Sequence, residues 1–123
     1  MGKRKLVEAE TLLQQGNATT AILKASIYLE QALRKLVYQN KSGIADLLQG
    51  RKPERLSMGQ MLGYLSKLDV ISKDDVPKIQ ECVDLRNRTA HSLAEPTIAD
   101  AKSFIEVASD FIEKYLEKDF NGG

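Results

Sequence analysis

Apolar positions recur at spacings of three and four along nearly the whole chain, which is the period of helices that bury one face. In the first segment, Lys3 to Gln15, the repeat is carried by Leu6, Ala9 and Leu13. Gly16-Asn17 supplies a stop and a candidate N-cap, and a long second helix is predicted from Ala18 to about Asn40. Its stripe is Ile22, Ala25, Leu29, Ala32 and Leu36, widened by Ala18, Leu33 and Val37. Lys41-Ser42-Gly43 ends that helix. Ile44 to Leu48 adds one short turn before a polar loop through Gly50, Arg51 and Pro53.

Ser57 with Gln60 three residues later reads as a capping box opening a third helix, Met58 to about Leu68. Its face is Met58, Met61, Leu62, Leu65 and Leu68, and Gly59 and Gly63 are expected to let a neighbouring helix pack closely. Ser72 with Asp75 opens a fourth helix, in which Pro77 is tolerated because it falls in the first turn. That helix runs to about His91 or Ser92, where Ala94-Glu95-Pro96 breaks it. Thr97 with Asp100 forms another capping box, and the last helix runs to about Lys118 along Ile98, Ala101, Ile105, Ala108, Ile112 and Tyr115. No strand alternation and no internal repeat intrudes. The expected fold is all-α: an up-and-down bundle of four to five helices, with residues 1–123 forming one domain.

Composition agrees. A chain of 123 residues is about one domain's worth, and 42% apolar with 28% charged is ordinary for a globular protein. The lone cysteine, Cys82, has no partner for an internal disulfide, so a reducing compartment and a cytoplasmic location are the expectation. No apolar run approaches the length of a membrane span. Charge narrows the picture further: 18 Lys and Arg against 17 Asp and Glu leave a net +1, with one basic cluster at Lys3-Arg4-Lys5. Proteins that hold duplex DNA non-specifically carry a marked basic face. Any nucleic-acid contact here must come from a few placed residues.

Several chemistries fall away. One histidine and one cysteine do not make a zinc site of the usual ligands. There is no strand to support a phosphate-cradling glycine loop, and no Gly-x-Ser-x-Gly elbow. Cys82 sits near Ile79 and Val83 on the apolar side of its helix and is expected in the core. What remains is Asp84-Leu85-Arg86-Asn87-Arg88-Thr89-Ala90-His91. At ~100° per residue, with Ile79 at zero, Val83 falls near 40°, Ala90 near 20° and Arg86 near −20°. Arg86 is thus in the middle of the apolar stripe, while Asn87 (~80°) and His91 (~120°) follow its edge. An arginine aimed at a helix seam needs an acidic partner or an anion, because an unpaired buried charge costs several kcal/mol. One reading is structural: a buried salt bridge, for which Glu30 on the second helix is a partner, with His91 favoured at the helix C-terminus by the macrodipole.

The other reading is chemical. Histidine is the usual general acid or base at neutral pH. Arginine holds a phosphate bidentately and stabilises charge building on phosphorus, and asparagine positions either. Together they suit cleavage of RNA without metal, in which the ribose 2′-hydroxyl attacks the adjacent phosphorus and leaves a 2′,3′-cyclic phosphate.

Arg86-Asn87-x-x-x-His91, at the end of a helix in a small all-α chain, resembles the signature of the HEPN superfamily. The long second helix with Leu29-Glu30-Gln31-Ala32-Leu33-Arg34 and the place of the motif helix before the last one are similar as well. The resemblance implies a two-fold homodimer whose motifs face each other, and either a cofactor-free endoribonuclease or a non-catalytic module that binds a nucleotide, RNA or a partner protein. It implies His91 as general base or acid, Arg86 as phosphate clamp and Asn87 as positioner. Arg88 and Thr89 are candidate substrate contacts, and Glu30 a candidate to orient Arg86. Toxin–antitoxin, phage-defence and RNA-processing systems are the settings it implies, with an antitoxin as one kind of partner and no membrane role. Toxins of this family paired with a nucleotidyltransferase antitoxin often carry Tyr two positions after the motif His. Leu93 stands there in this chain.

Overall fold

The computed structural model describes residues 6–91 and 95–117, and the regular structure among them is entirely helical. In order these are α1 (Val7–Gln14), α2 (Ala18–Gln39), α3 (Lys41–Leu48), a 3₁₀ turn (Pro53–Arg55), α4 (Met58–Lys67), α5 (Val76–Ala90) and α6 (Ile98–Ile112), with α6 running on into a π-helical turn at Glu113–Glu117. The basic cluster Lys3-Arg4-Lys5 and the expected helix end at Lys118 lie outside the described residues. The fold is an all-α bundle. Among the described residues no helix is long and apolar enough to cross a membrane.

Local chemistry sets the boundaries. After α1, Gly16 adopts φ +77°, and the amides of Gly16 and Asn17 return to the carbonyls of Leu13 and Leu12. Those two bonds are a Schellman motif, in which glycine takes the left-handed position at no steric cost. Asn17 then caps α2 by accepting from the Thr20 amide. The Ser57/Gln60 and Thr97/Asp100 capping boxes both form, with side-chain and backbone bonds in each direction. The α4 C-terminus repeats the Schellman pattern with Asp69 at φ 56°, the amides of Asp69 and Val70 reaching Ser66 and Leu65.

Two junctions differ from the sequence reading. Lys41-Ser42-Gly43 is the first turn of α3 and not a stop. The chain turns at a single residue, Asn40, whose side-chain amide donates to the Leu36 carbonyl while its own carbonyl accepts from Ile44. Burial of Ile44 and Leu48, four apart on one face, makes the second short helix worth forming. The second junction is the start of α5, which begins at Val76 with Asp75, and not Ser72, at the N-cap position. Ser72 Oγ donates to Asp75, but the Asp75 side chain bonds none of the helix amides.

The Asp75 carboxylate is taken up elsewhere, by Lys114 Nζ (2.7 Å) and the Tyr115 hydroxyl (2.5 Å) from the π turn. Tyr115 in turn accepts from the Ser72 amide at 2.9 Å and stacks on Phe111, with ring centroids 4.9 Å apart. This clasp ties the start of α5 to the far end of α6.

The core is one cluster centred on α2, ten of whose 22 residues are buried. α1, α4, α5 and α6 all pack against α2. Ile22, Leu29, Leu33, Met61, Leu65, Ile79 and Phe104 are almost wholly buried, and each such side chain is worth roughly 1.5–3 kcal/mol in transfer from water. A second fastening runs along the polar edge of α2. Arg34 pairs with Glu30 at 3.1 Å and donates to the Leu56 carbonyl at 2.7 Å, and Tyr38 donates to Glu54 at 2.6 Å. These bonds hold the segment between α3 and α4 against α2.

The two glycines of α4 are not a close-packing seam. A Cβ at Gly59 would meet Val83 of α5 at an ordinary 3.9 Å, and one at Gly63 would meet nothing within 4 Å. Gly63→Ala is therefore expected to raise stability by about 0.5–1 kcal/mol through helix propensity alone, read as a rise in denaturant midpoint at unchanged slope.

Hydrogen bonds from Lys114, Tyr115 and Ser72 lower the Asp75 pKa from an ordinary 3.8 to about 2. The carboxylate form is favoured in the folded chain, so this stabilisation is complete above pH ~4 and is lost as pH falls through about 2. With 19% of the side chain exposed and solvent screening allowed for, Asp75→Asn is expected to cost about 1–2 kcal/mol at neutral pH. Denaturation curves between pH 7 and 2 test this: wild type and variant should converge at the acid end.

Candidate functional site

The residues singled out by the sequence gather at the C-terminal end of α5. Its buried face is Ile79, Cys82, Val83 and Thr89, with Arg86 half-buried in the same stripe. Arg86 thus occupies the stripe as the helical arithmetic places it. The last turn departs from that arithmetic. Ala90 is exposed and Thr89 is buried, at 6% exposure. On the wheel Thr89 shares a side with the buried Cys82, and this flank stays covered to the end of the helix. Thr89 is therefore not a surface substrate contact.

Arg86 donates through Nη1 to the Asn87 side-chain oxygen at 3.2 Å. Its Nε is buried and has no hydrogen-bond partner, and the same is true of the Thr89 hydroxyl oxygen one turn on. A buried polar atom left unmatched costs about 1–3 kcal/mol. Glu30, the acidic partner offered by the sequence, is bonded to Arg34 instead. That i,i+4 pair lies within one helix and needs no tertiary contact to form. Arg86 has no ion pair with a described residue.

His91 closes α5 at the C-cap, its amide donating to the Asn87 carbonyl at 3.1 Å. Its side chain is exposed and makes no hydrogen bond with a described residue. The structure thus joins Arg86 to Asn87 and leaves His91 open beside them, on the edge of α5 that continues from Val83 toward α4. Arg88, ~100° from Asn87 and ~60° from His91 around the helix, lines a groove between α5 and α6. Leu93 lies outside the described residues.

Cys82 is in the core at 4% exposure, and burial pushes its thiol up to about 12, with Glu81 adding a smaller push. It is a packing residue with no thiolate to offer at neutral pH. Among the described residues no group of three or more His, Cys, Asp and Glu side chains is placed to hold a metal ion.

The sequence reading missed Arg34, Tyr38, Lys114 and Tyr115. The spacing Glu30-Arg34-Tyr38 signals one helix edge, but nothing local says that this edge meets residues 54–56.

Since Asn87 is the one hydrogen-bond partner that the Arg86 side chain holds among the described residues, a flexible apolar side chain of similar length should fill its place. Arg86→Met is expected to leave stability unchanged or to raise it by up to about 1 kcal/mol, because a buried unmatched donor is removed. Chemical denaturation measures this. A loss beyond about 2 kcal/mol would assign Arg86 to the scaffold.

Comparison of the chain with protein-family models, with curated proteins and with solved structures gives no match.

Proposed function

We propose that the chain is a HEPN-type endoribonuclease that cleaves RNA without a metal ion and works as a two-fold dimer. The observation that carries this reading is Arg86: a half-buried guanidinium in the apolar stripe of α5, bonded to Asn87, matched by no carboxylate among the described residues, and five residues before an exposed histidine. A stability role would call for an acidic partner. An arginine without one is free to take a phosphate.

In this reaction His91 takes the proton of the ribose 2′-hydroxyl, and that oxygen attacks the neighbouring phosphorus. The bond from phosphorus to the 5′-oxygen breaks, and the leaving oxygen takes a proton from a general acid. The products carry a 2′,3′-cyclic phosphate and a 5′-hydroxyl. Arg86 balances the charge that builds on the phosphoryl oxygens, and Asn87 positions Arg86 by holding Nη1. DNA lacks the nucleophile and resists cleavage. Arg86 and His91 diverge by ~140° around one straight helix. A two-fold axis beside the end of α5 resolves this by pairing Arg86 of one protomer with His91 of the other.

The second reading is a non-catalytic dimerisation or adaptor module of the same fold, which binds a nucleotide, RNA or a partner protein. The near-neutral charge favours it, since +1 gives little general attraction for RNA.

Wild type, Arg86→Ala and His91→Ala, incubated with labelled single-stranded RNA in EDTA, separate the two. The catalytic reading expects cyclic phosphate ends from wild type, with each variant slower by about 10²-fold or more. Intact RNA from a folded, dimeric wild type assigns the binding module. Equal cleavage by all three proteins overturns the assignment of the site.

A further inference from the structure

α5 and α6 lie antiparallel, and a groove follows their seam in two adjoining stretches of about 330 and 220 Å³ that share Lys78 and Val107. Leu85, Phe104 and Val107 give it an apolar floor. Its rim is acidic. Glu81 and Asp84 stand on the α5 side, and Asp100, Glu106 and Asp110 on the α6 side, all five exposed and none in an ion pair with a described residue. Against them stand Lys78 and Arg88; Lys114 is already engaged by Asp75. An excess of three negative charges around one groove is a marked concentration in a chain whose net charge is +1.

We propose that this groove docks a basic amphipathic helix of a partner protein. The acidic rim repels phosphates, so the groove is unsuited to RNA and selects a cationic occupant. The apolar floor requires that occupant to present a hydrophobic stripe, and a helix laid in a groove does so through residues at i, i+3, i+4 and i+7. From Asp100 to Asp110 the α6 rim runs ~15 Å, about three turns of a docked helix. Leu85 on the groove floor stands about 120–160° from His91 and Asn87 around α5, while Asp84 on the rim is ~20° from His91; the docking of a cationic helix does not rest on RNA cleavage.

The probe is a fluorescent peptide of about 14 residues with Leu along one helical face and Lys on the other, titrated into the full chain, beside a counterpart with Glu for Lys. The Leu/Lys peptide should bind, more weakly as salt rises, and its amide-shift footprint should centre on Leu85 and Val107. Asp84→Lys with Glu106→Lys should weaken it by about tenfold or more. Both positions are exposed, and circular dichroism checks that the double variant folds. Failure of the Leu/Lys peptide to bind, equal binding of both peptides, indifference to the double variant, or a footprint elsewhere overturns the proposal. So does a dimer that the double variant dissociates, since the groove is then covered by a second copy of the chain.

Discussion

Burial of the α2 stripe is the constraint on which the rest of the bundle depends. Nine buried apolar positions along 22 residues present surface on more than one flank, and α1, α4, α5 and α6 are the elements that cover it. Each is short and only marginally helical by itself. Packing against α2 makes them stable, and the caps decide where they begin and end. The polar edge of the same helix does further work, because Arg34 and Tyr38 fasten the segment that leads into α4.

This arrangement fixes what α5 can do. Its first turn is held at the end of α6 by Asp75, Lys114 and Tyr115, and its middle is packed through Ile79, Cys82 and Val83. The helix is therefore anchored from its start, and its last turns present Arg86, Asn87 and His91 from a rigid base. A site on a rigid element needs less reorganisation to act than one on a loop. The unmatched Arg86 Nε and Thr89 hydroxyl are costs that packing elsewhere in the bundle offsets. Local violations of polar matching in an otherwise consistent fold are characteristic of functional positions.

Acidic charge is concentrated along the seam of α5 and α6. Asn87 and His91 are exposed, and among the described residues no carboxylate is bonded to either, although Asp84 of the rim is ~20° from His91 around α5. On the side toward α6, five carboxylates surround an apolar floor. The net charge of +1 conceals this local excess of carboxylates.

Sequence by itself determined the helices and most of their ends. Periods of three and four, Gly16, and the Ser57/Gln60 and Thr97/Asp100 boxes all act within one turn of chain, so their outcome is written in adjacent residues. It also determined that Arg86 lies in the apolar stripe and that Cys82 is core, since both follow from helical angle. Tertiary structure decided the partners. Asp75 meets Lys114 and Tyr115 about forty residues away, Arg34 meets Leu56, and Glu30 is taken by Arg34 and not by Arg86. It also decided that burial at the end of α5 falls on Thr89 and not on Ala90. Such contacts depend on how separate helices come together, and no local spacing encodes the choice among several available charges.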